Sequence, residues 1–138
     1  MELERCNCMT LRKAARRVSN FYDSVLAPSG LRATQYSILA LLNEAGAISI
    51  NDLARHLDLD RTTTGKNLRP LEVAKLVKLA PSPSDGRRRL VTLTEDGMKA
   101  LRAARPLWRR AQADFENSNG KKLASDLRQL LSGLTVDT

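Results

Sequence analysis

The fold of this chain is decided by two polar, basic stretches, Leu57-Asp58-Leu59-Asp60-Arg61-Thr62-Thr63-Thr64-Gly65-Lys66-Asn67-Leu68-Arg69 and Ser84-Asp85-Gly86-Arg87-Arg88-Arg89. The first predicts a helix with a polar outer face, and the second predicts a turn with three arginines at its tip. From Arg61 to Arg89 there are eight Lys or Arg residues and two acidic ones, which gives six of the eight net positive charges of the chain. Charge concentrated in this way predicts a surface that contacts duplex DNA.

A helix-turn-helix is predicted around the first stretch. Ser49 and Asp52 stand in the N-cap and N3 positions of a short helix that ends at Leu57, since an N-cap oxygen accepts a free N–H of the first turn. After a tight turn, Asp60 caps a second helix with a polar outer face. Its inward-facing leucines are expected to be Leu68, Leu71 and Leu76.

A β-hairpin is predicted directly after the helix-turn-helix. Its arms are residues 77–80 and 89–93, of which the second favours a strand more strongly, and Asp85-Gly86 is a strong turn signal between them. A helix-turn-helix followed by a hairpin is a winged helix. The fold class is therefore mainly α with a small β-wing.

Further helices are predicted on both sides of this winged-helix unit. Apolar residues at helical spacing predict one over roughly 8–27 and another from Thr34, its expected N-cap, to Gly46. Thr94 caps a long helix, which Pro106 should kink and Asn117-Ser118-Asn119-Gly120 should end. A final helix carries Leu123, Leu127, Leu130, Leu131 and Leu134. The apolar faces of the first and last helices lie outside the winged helix, and a homodimer interface is the natural place to bury them.

The composition excludes several classes of protein. With 42% apolar and 28% charged residues over 138 positions, the chain is that of an ordinary globular domain. No apolar run is long enough to span a bilayer and no signal-peptide core is present, so we expect a cytoplasmic protein with no membrane partner. We find no phosphate loop, metal cluster or nucleophile with a paired base, and therefore expect neither an enzyme nor a cofactor. The only histidine, His56, is expected to pack within the helix-turn-helix.

The order of elements resembles the MarR family of bacterial transcriptional regulators over nearly the whole chain. The most specific motif joins Asp85-Gly86-Arg87 to Leu93-Thr94-Glu95-Asp96-Gly97, which is similar to the family's Asp-x-Arg wing tip followed by a Leu-Thr-x-x-Gly helix start. The resemblance implies one domain over residues 1–138, with the winged helix-turn-helix core at about 32–97. It implies dimerisation helices at about 6–27 and 98–136, so that two recognition helices face the same side of DNA.

Two positions depart from the family's usual pattern. Lys75 stands where many members have Gly before the wing, which puts the end of the recognition helix in question. Pro70 lies inside that helix, where it removes one backbone hydrogen bond and should bend the helix.

The residues expected to contact DNA lie on the recognition helix and the wing. Arginine pairs with guanine and asparagine with adenine in the major groove, while threonine touches thymine methyl groups or phosphates. At the wing, the Asp85 carboxylate is expected to pin the Arg87 guanidinium so that it enters a minor groove, and Arg88 or Arg89 to contact a phosphate. The whole set is Arg61, Thr62, Thr63, Thr64, Lys66, Asn67, Arg69, Asp85, Arg87 and Arg88.

Two further groups of residues are candidates for a regulatory signal. Family members often bind a small aromatic or anionic effector between the dimerisation helices and the core, and Phe21, Tyr22, Tyr36 and Trp108 are candidates to line that pocket, although aromatic residues at helical spacing are more often simply core. Cys6 and Cys8 could form a redox site, because some family members sense oxidants through an N-terminal cysteine. Their alternative interpretation is a pair of reduced, structurally neutral thiols.

The sequence thus predicts a sequence-specific regulator of transcription. We expect a homodimeric repressor of a pseudo-palindromic operator, with half-sites roughly 34 Å apart, that is released by a small ligand or by oxidation. Two alternatives stay open. One is an architectural protein that grips DNA without sequence preference, and the other is a winged-helix module that binds proteins.

Overall fold

The computed structural model describes residues 1–136 of the chain, which are mostly helical with one small sheet. The helices are α1 Asn7–Leu26, α2 Ala33–Ala45, α3 Ile50–Leu57, α4 Arg61–Val73, α5 Glu95–Asn119 and α6 Lys121–Ser132, and the strands are β1 Ile48–Ser49, β2 Val77–Pro81 and β3 Arg89–Leu93. Short 3-10 turns cover Glu2–Arg5 and Ala27–Ser29. The order confirms the predicted winged helix with additional helices at both ends.

The sheet joins the wing to the helix-turn-helix. Its strands are antiparallel in the order β1-β3-β2, so the wing hairpin is extended by the two residues that precede α3. Ser49 pairs with Leu90, and Pro81 pairs with Arg89 at the far end of the hairpin. This pairing fixes the start of α3 next to the base of the wing.

One apolar core lies between the sheet and the helices. Its fully buried side chains come from the last residue of α1, from α2 to α5 and from β3, and each is at most 2% exposed. They include Leu26, Ile38, Leu39, Leu42, Leu53, Leu68, Leu71, Val91 and Leu101. From α6 only Ala124 is buried among the described residues. The winged-helix core is therefore complete within one chain.

Three predicted helix starts are confirmed. The Ser49 hydroxyl accepts the Asp52 N–H at 3.1 Å and starts α3, while the Thr94 hydroxyl accepts the Gly97 N–H at 2.9 Å and starts α5. Asp60 starts α4, as the next subsection describes. These caps are local interactions, which is why the sequence predicts them.

The start of α2 was predicted at the wrong residue. Thr34 is not the N-cap, because the helix already begins at Ala33. The Ala33 N–H donates to the Asp23 carboxylate of α1 at 2.8 Å, and the Arg32 N–H donates to the Gln35 side chain at 2.9 Å. A residue distant in sequence therefore satisfies this helix end, and Thr34 stays exposed.

The end of α4 explains how the chain manages without the glycine that is usual there. Lys75 adopts the left-handed conformation with φ +61°. The Lys75 N–H donates to the Glu72 carbonyl and the Leu76 N–H to the Leu71 carbonyl, each at 2.9 Å. This is the bonding pattern of a Schellman C-cap. The helix consequently ends as it would with Gly, and Leu76 lies beyond the helix as a half-buried residue.

The two internal prolines do not end their helices. α4 continues through Pro70 and α5 through Pro106. The predicted break at residues 117–120 is shorter than expected, since α5 extends through Asn119 and only Gly120, with φ +93°, separates it from α6.

Candidate nucleic-acid interface

The outer face of α4 is defined by the residues that the same helix buries. Thr64, Leu68 and Leu71 follow one another at spacings of four and three and are all buried. With about 100° of rotation per residue, Thr62, Lys66 and Arg69 lie on the opposite face, and all three are exposed. Of the predicted contacts on this helix, these three are therefore the ones that point directly away from the core.

The prediction that Thr64 contacts DNA is wrong. Its side chain is fully buried, and its hydroxyl donates to the Asp60 carbonyl at 2.8 Å. A buried hydroxyl with its donor satisfied inside the helix has no means of reaching a base or a phosphate. Thr64 is part of the core contact of α4.

The remaining predicted residues of α4 lie at its start or along its flank. The Asp60 carboxylate accepts the Thr63 N–H at 2.6 Å and the Thr63 hydroxyl at 3.1 Å. These hydrogen bonds hold the pKa of the Asp60 carboxyl below its ordinary value. Arg61 is exposed and donates to the Asn51 side chain of α3 at 3.4 Å, while Asn67 is half-buried beside the outer face.

The wing tip is shaped by Asp85, although differently from the prediction. Its carboxylate accepts the backbone N–H of Arg87 at 3.0 Å, and its carbonyl accepts the Arg88 N–H at 3.0 Å. An aspartate commonly bonds the backbone two residues ahead in this way, which orders the turn itself. Within residues 1–136, the Arg87 guanidinium has no carboxylate at ion-pair distance. Asp85 therefore fixes the backbone of the loop, and the Arg87 side chain projects without a carboxylate to pin it.

The structure adds three residues of α3 that the sequence analysis missed. Asp52 forms an ion pair with Arg55 and a second one, at 3.7 Å, with Arg88 of the wing. Asn51, Asp52, Arg55, Arg61 and Arg88 line a shallow pit of about 580 Å³ between α3, the start of α4 and the wing. The spacing of Asn51 and Arg55, four residues apart on a short helix, was the available signal, but their neighbours depend on the tertiary fold.

A second feature lies outside the helix-turn-helix and the wing, where α1, α5 and α6 line an apolar groove of about 530 Å³. We call it the helical groove. Its lining includes Leu11, Ala14, Ala15, Val18, Tyr22, Gln112, Phe115, Glu116, Leu127, Arg128, Leu131 and Leu134. The leucines of α6 that were predicted to form an apolar face are exposed in the single chain, from 37% for Leu127 to 68% for Leu130.

Polar groups lie along one side of this groove. The Tyr22 hydroxyl donates to the Gln112 side chain, and Arg128 approaches Glu116 at 3.9 Å. Partial burial, together with the nearby Glu116 carboxylate, raises the pKa of the Tyr22 phenol above its ordinary value. Tyr22 is therefore a neutral phenol at neutral pH.

The four candidate pocket aromatics form two separate pairs. Tyr36 and Trp108 stack with ring centroids 5.6 Å apart, and Tyr36 is a member of the buried core. Phe21 and Tyr22 meet edge to face at 5.8 Å. Tyr22 lines the helical groove and Phe21 lines a second concavity between α1 and α5, so the fold brings Tyr22 but not Tyr36 to an open surface.

The remaining candidates lie at the surface. Cys6 and Cys8 are free and exposed, and the Cys6 sulfur accepts the Met9 N–H at 3.5 Å as the N-cap of α1. His56 is also exposed, so its predicted packing within the helix-turn-helix is wrong. Within residues 1–136 no three His, Cys, Asp or Glu side chains cluster as metal ligands. None of the helices in this part of the chain is both long and apolar enough to cross a bilayer.

A basic helix presented by a helix-turn-helix and followed by an arginine-tipped wing defines a winged-helix DNA-binding regulator. The MarR family model matches residues 29–88, which contain α2, α3, α4 and most of the wing. The transcriptional repressor NicR of Pseudomonas putida is 31% identical over 96 residues, or 70% of this chain and 61% of NicR, so the match spans about three fifths of that relative.

Several solved structures match almost the whole chain, including those of two related regulators. The transcriptional regulator MosR of M. tuberculosis, solved in complex with DNA, is 36% identical with a TM-score of 0.80, and the match covers 91% of this chain and 92% of MosR. BpsR of Bordetella bronchiseptica, whose DNA binding is regulated by 6-hydroxynicotinic acid, is 25% identical with a TM-score of 0.79 and coverages of 94% and 95%. This chain belongs to the MarR family of transcriptional regulators.

Proposed function

We propose that this protein is a homodimeric repressor that binds a specific duplex DNA sequence. The observation that carries the proposal is the outer face of α4, where Thr62, Lys66 and Arg69 are exposed beside the wing. An α-helix fits the major groove, and basic side chains on its outer face meet base edges and phosphates there. The DNA complex of the related MosR supports the same use of this fold.

The residues divide into three proposed roles. Three basic residues are suited to guanine edges or phosphates, namely Arg61, Lys66 and Arg69. Asn67, at the flank of α4, is suited to an adenine edge, and Thr62 is suited to a phosphate or a thymine methyl group. Arg87 at the wing tip is suited to an adjacent minor groove, where a narrow groove concentrates negative potential. Thr63 is engaged with Asp60, and its contribution is to hold the start of α4.

We also propose that the helical groove is the homodimer interface. Leucines exposed along α6 lie beside an apolar groove, and contiguous exposed apolar surface often marks a site of protein–protein interaction. A second copy of the chain would fill the groove with the same kind of leucines, since a two-fold interface is self-complementary. On this basis residues 32–97 form the reading unit, and residues 6–27 and 98–136 hold the dimer together.

The signal that releases DNA is proposed to be a small aromatic acid or an oxidant. Tyr22 offers a phenol at the edge of the helical groove, and BpsR is a relative whose DNA binding responds to an aromatic acid. Cys6 and Cys8 are accessible to an oxidant at the start of α1. The Tyr22→Phe variant and the Cys6→Ser, Cys8→Ser double variant separate these two signals, because each should abolish one response and leave the other.

The first experiment measures binding of the purified protein to the DNA beside its own gene and to unrelated DNA, over a salt series. We expect binding to the former to be ~10³-fold tighter or more. Equal and steeply salt-dependent binding to both would favour an architectural protein. The Lys66→Ala variant should weaken specific binding, whereas the matched Arg110→Ala change on the exposed face of α5 should not.

The protein-interaction alternative is tested at the wing. Arg87→Glu reverses one charge at a site where no carboxylate within residues 1–136 is paired with it, so the fold should be unaffected. A DNA reader should lose most of its affinity, whereas unchanged DNA binding would favour a module that uses the winged helix to bind proteins.

A further inference from the structure

The pit between α3 and the wing brings four charged side chains together away from the outer face of α4. The guanidiniums of Arg55, Arg61 and Arg88 surround it, and Asp52 is its only carboxylate. Arg55 and Arg88 stay accessible, with side chains 79% and 57% exposed, while Asp52 is 34% exposed. The pit therefore presents a net positive surface to solvent.

Each carboxylate oxygen of Asp52 faces a different arginine. Oδ1 pairs with Arg55, one turn along the same helix, and Oδ2 lies 3.7 Å from the Arg88 guanidinium of the wing. The pairing of β1 with β3 makes this contact geometrically available, because Ser49 is opposite Leu90. Asp52 consequently links α3 to the wing through Arg88 and also pairs with Arg55 on α3 itself.

Ion pairs at such exposed positions contribute little to folding stability. An acidic group near DNA also costs binding energy unless it is paired, since it repels phosphates. Hydrogen bonding from Arg55 keeps the pKa of the Asp52 carboxyl below its ordinary value, so the charge persists at neutral pH. Asp52 also lies in the first turn of α3, where a carboxylate is favourable beside the helix N-terminus. Its contacts with Arg55 and Arg88 give the same carboxylate a second role, which is placement of the two arginines.

The geometry of duplex DNA indicates what the arginines meet. If α4 lies in a major groove and the wing tip in the adjacent minor groove, one phosphodiester strand separates the two grooves. That strand must cross the surface between α4 and the wing, which is where the pit lies. This step rests on the proposed function.

We infer that Asp52 is a positioning residue that holds Arg55 and Arg88 side by side as ligands for a phosphate of the strand between the two grooves. Arg61, hydrogen-bonded to Asn51 at 3.4 Å, closes the other side of the pit. The pit thus fixes the register of the wing relative to α4 on the DNA backbone.

The test is the Asp52→Asn variant, on the duplex that the native protein binds most tightly. Removal of a negative charge near DNA should by itself tighten binding, whereas loss of a positioning residue should weaken it roughly 3- to 10-fold, the scale of about one well-placed contact. The slope of log affinity against log salt should become shallower by about one unit, since one phosphate contact is lost. The matched control is Asp58→Asn, which removes the same charge in the turn after α3 and should not weaken binding.

A double-mutant cycle separates positioning from a change in fold. Arg88→Ala should weaken binding of the native protein, but it should cost clearly less in the Asp52→Asn background, because Arg88 is no longer held there. Thermal unfolding should show only the small loss expected when the first turn of α3 loses its acid, and that loss should be the same with and without Arg88→Ala. Tighter binding by Asp52→Asn, or independent effects of the two changes, would overturn the positioning role while the regulator itself stands. A native protein that binds no DNA would overturn both.

Discussion

Leucines are buried in the winged-helix core but exposed on α6, which lines the helical groove with α1 and α5 outside that core. Leu39 in the core is fully buried, whereas Leu127 and Leu130 in α6 are 37% and 68% exposed. Both sets follow regular helical spacing, so periodicity alone does not distinguish them. The difference is that the winged-helix region buries its apolar side chains within one chain, whereas α6 leaves its leucines exposed in the single chain.

Burial of the exposed α6 leucines would drive formation of the proposed homodimer. Full burial of one leucine side chain contributes about 1.5–3 kcal/mol, and several are available on each α6. The core leucines are already buried within one chain, so a second copy of the chain would bury no further core side chains. The effect of a substitution on stability should therefore depend on protein concentration in α6 and be independent of it in the core.

Leu39→Ala and Leu127→Ala remove the same atoms from the two regions. We expect Leu39→Ala to destabilise the protein by about 2–5 kcal/mol, because a cavity is left in the packed core. Its loss of thermal stability should be the same at every protein concentration. Leu127→Ala should instead weaken the dimer, so that its unfolding temperature depends more steeply on concentration.

The measurements are thermal unfolding over a hundredfold range of concentration and light scattering coupled to size exclusion. A native protein that is monomeric throughout that range would contradict the proposed interface. So would a Leu127→Ala variant whose stability and mass are the same as those of the native protein.

The next prediction concerns the junction of the wing with α5. A Cβ at Gly97 would overlap the Leu76 carbonyl oxygen and lie 2.6 Å from Leu93 Cδ1. The carbonyl also accepts the Thr94 N–H at 3.1 Å, so it cannot shift without loss of that bond. Gly97→Ala should therefore destabilise the protein by about 1–3 kcal/mol.

The matched control for this glycine is Gly65 in α4. A Cβ there meets no atom within 4 Å, and Ala stabilises an exposed helix interior by about 0.5–1 kcal/mol relative to Gly. Denaturant unfolding of the two variants should give changes of opposite sign. Equal changes would mean that the close approach at Gly97 is not the reason for glycine there.

The helix starts show how far local sequence carries the prediction of this fold. Ser49, Asp60 and Thr94 were assigned as N-caps from the sequence, and each accepts the expected N–H. Each of these hydrogen bonds joins residues three positions apart, so a short stretch of sequence is enough to predict it. Thr34 was the wrong cap for α2 because Asp23 of another helix takes the role, and no local pattern indicates such a contact.

The candidate interface divides in the same way. The outer face of α4 follows from sequence, and the spacing of Thr64 with Leu68 and Leu71 already placed Thr64 on the buried side. The interpretation of Thr64 as a contact gave more weight to its residue type than to its position. The pairing of Asp52 with Arg88 across 36 residues depends on the β1–β3 register, which the sequence analysis did not predict.

A third prediction concerns Lys75, which lies between the end of α4 and the first strand of the wing. A non-glycine residue pays a penalty for its φ of +61°. Lys75→Gly should therefore stabilise the protein by about 0.5–1 kcal/mol without moving the C-cap. Asp58→Gly, at φ +55°, should gain less, because aspartate tolerates this region better than lysine does. A loss of stability in Lys75→Gly, measured in urea, would show that its side chain has a role the cap does not explain.

The smallest expected effect is the pH dependence of the α4 cap. The pKa of Asp60 is lowered in the folded protein by hydrogen bonds from Thr63. Its contribution to stability is therefore fully present above the unfolded value of about 3.9 and is lost as the pH falls through the lowered folded value. Asp60→Asn keeps an acceptor at the N-cap but does not titrate there, so its stability should fall less steeply than that of the native protein below about pH 4. Since the cap belongs to the core that one chain completes, this difference should not change with protein concentration. Parallel stability curves for the two proteins below that pH would contradict the assignment.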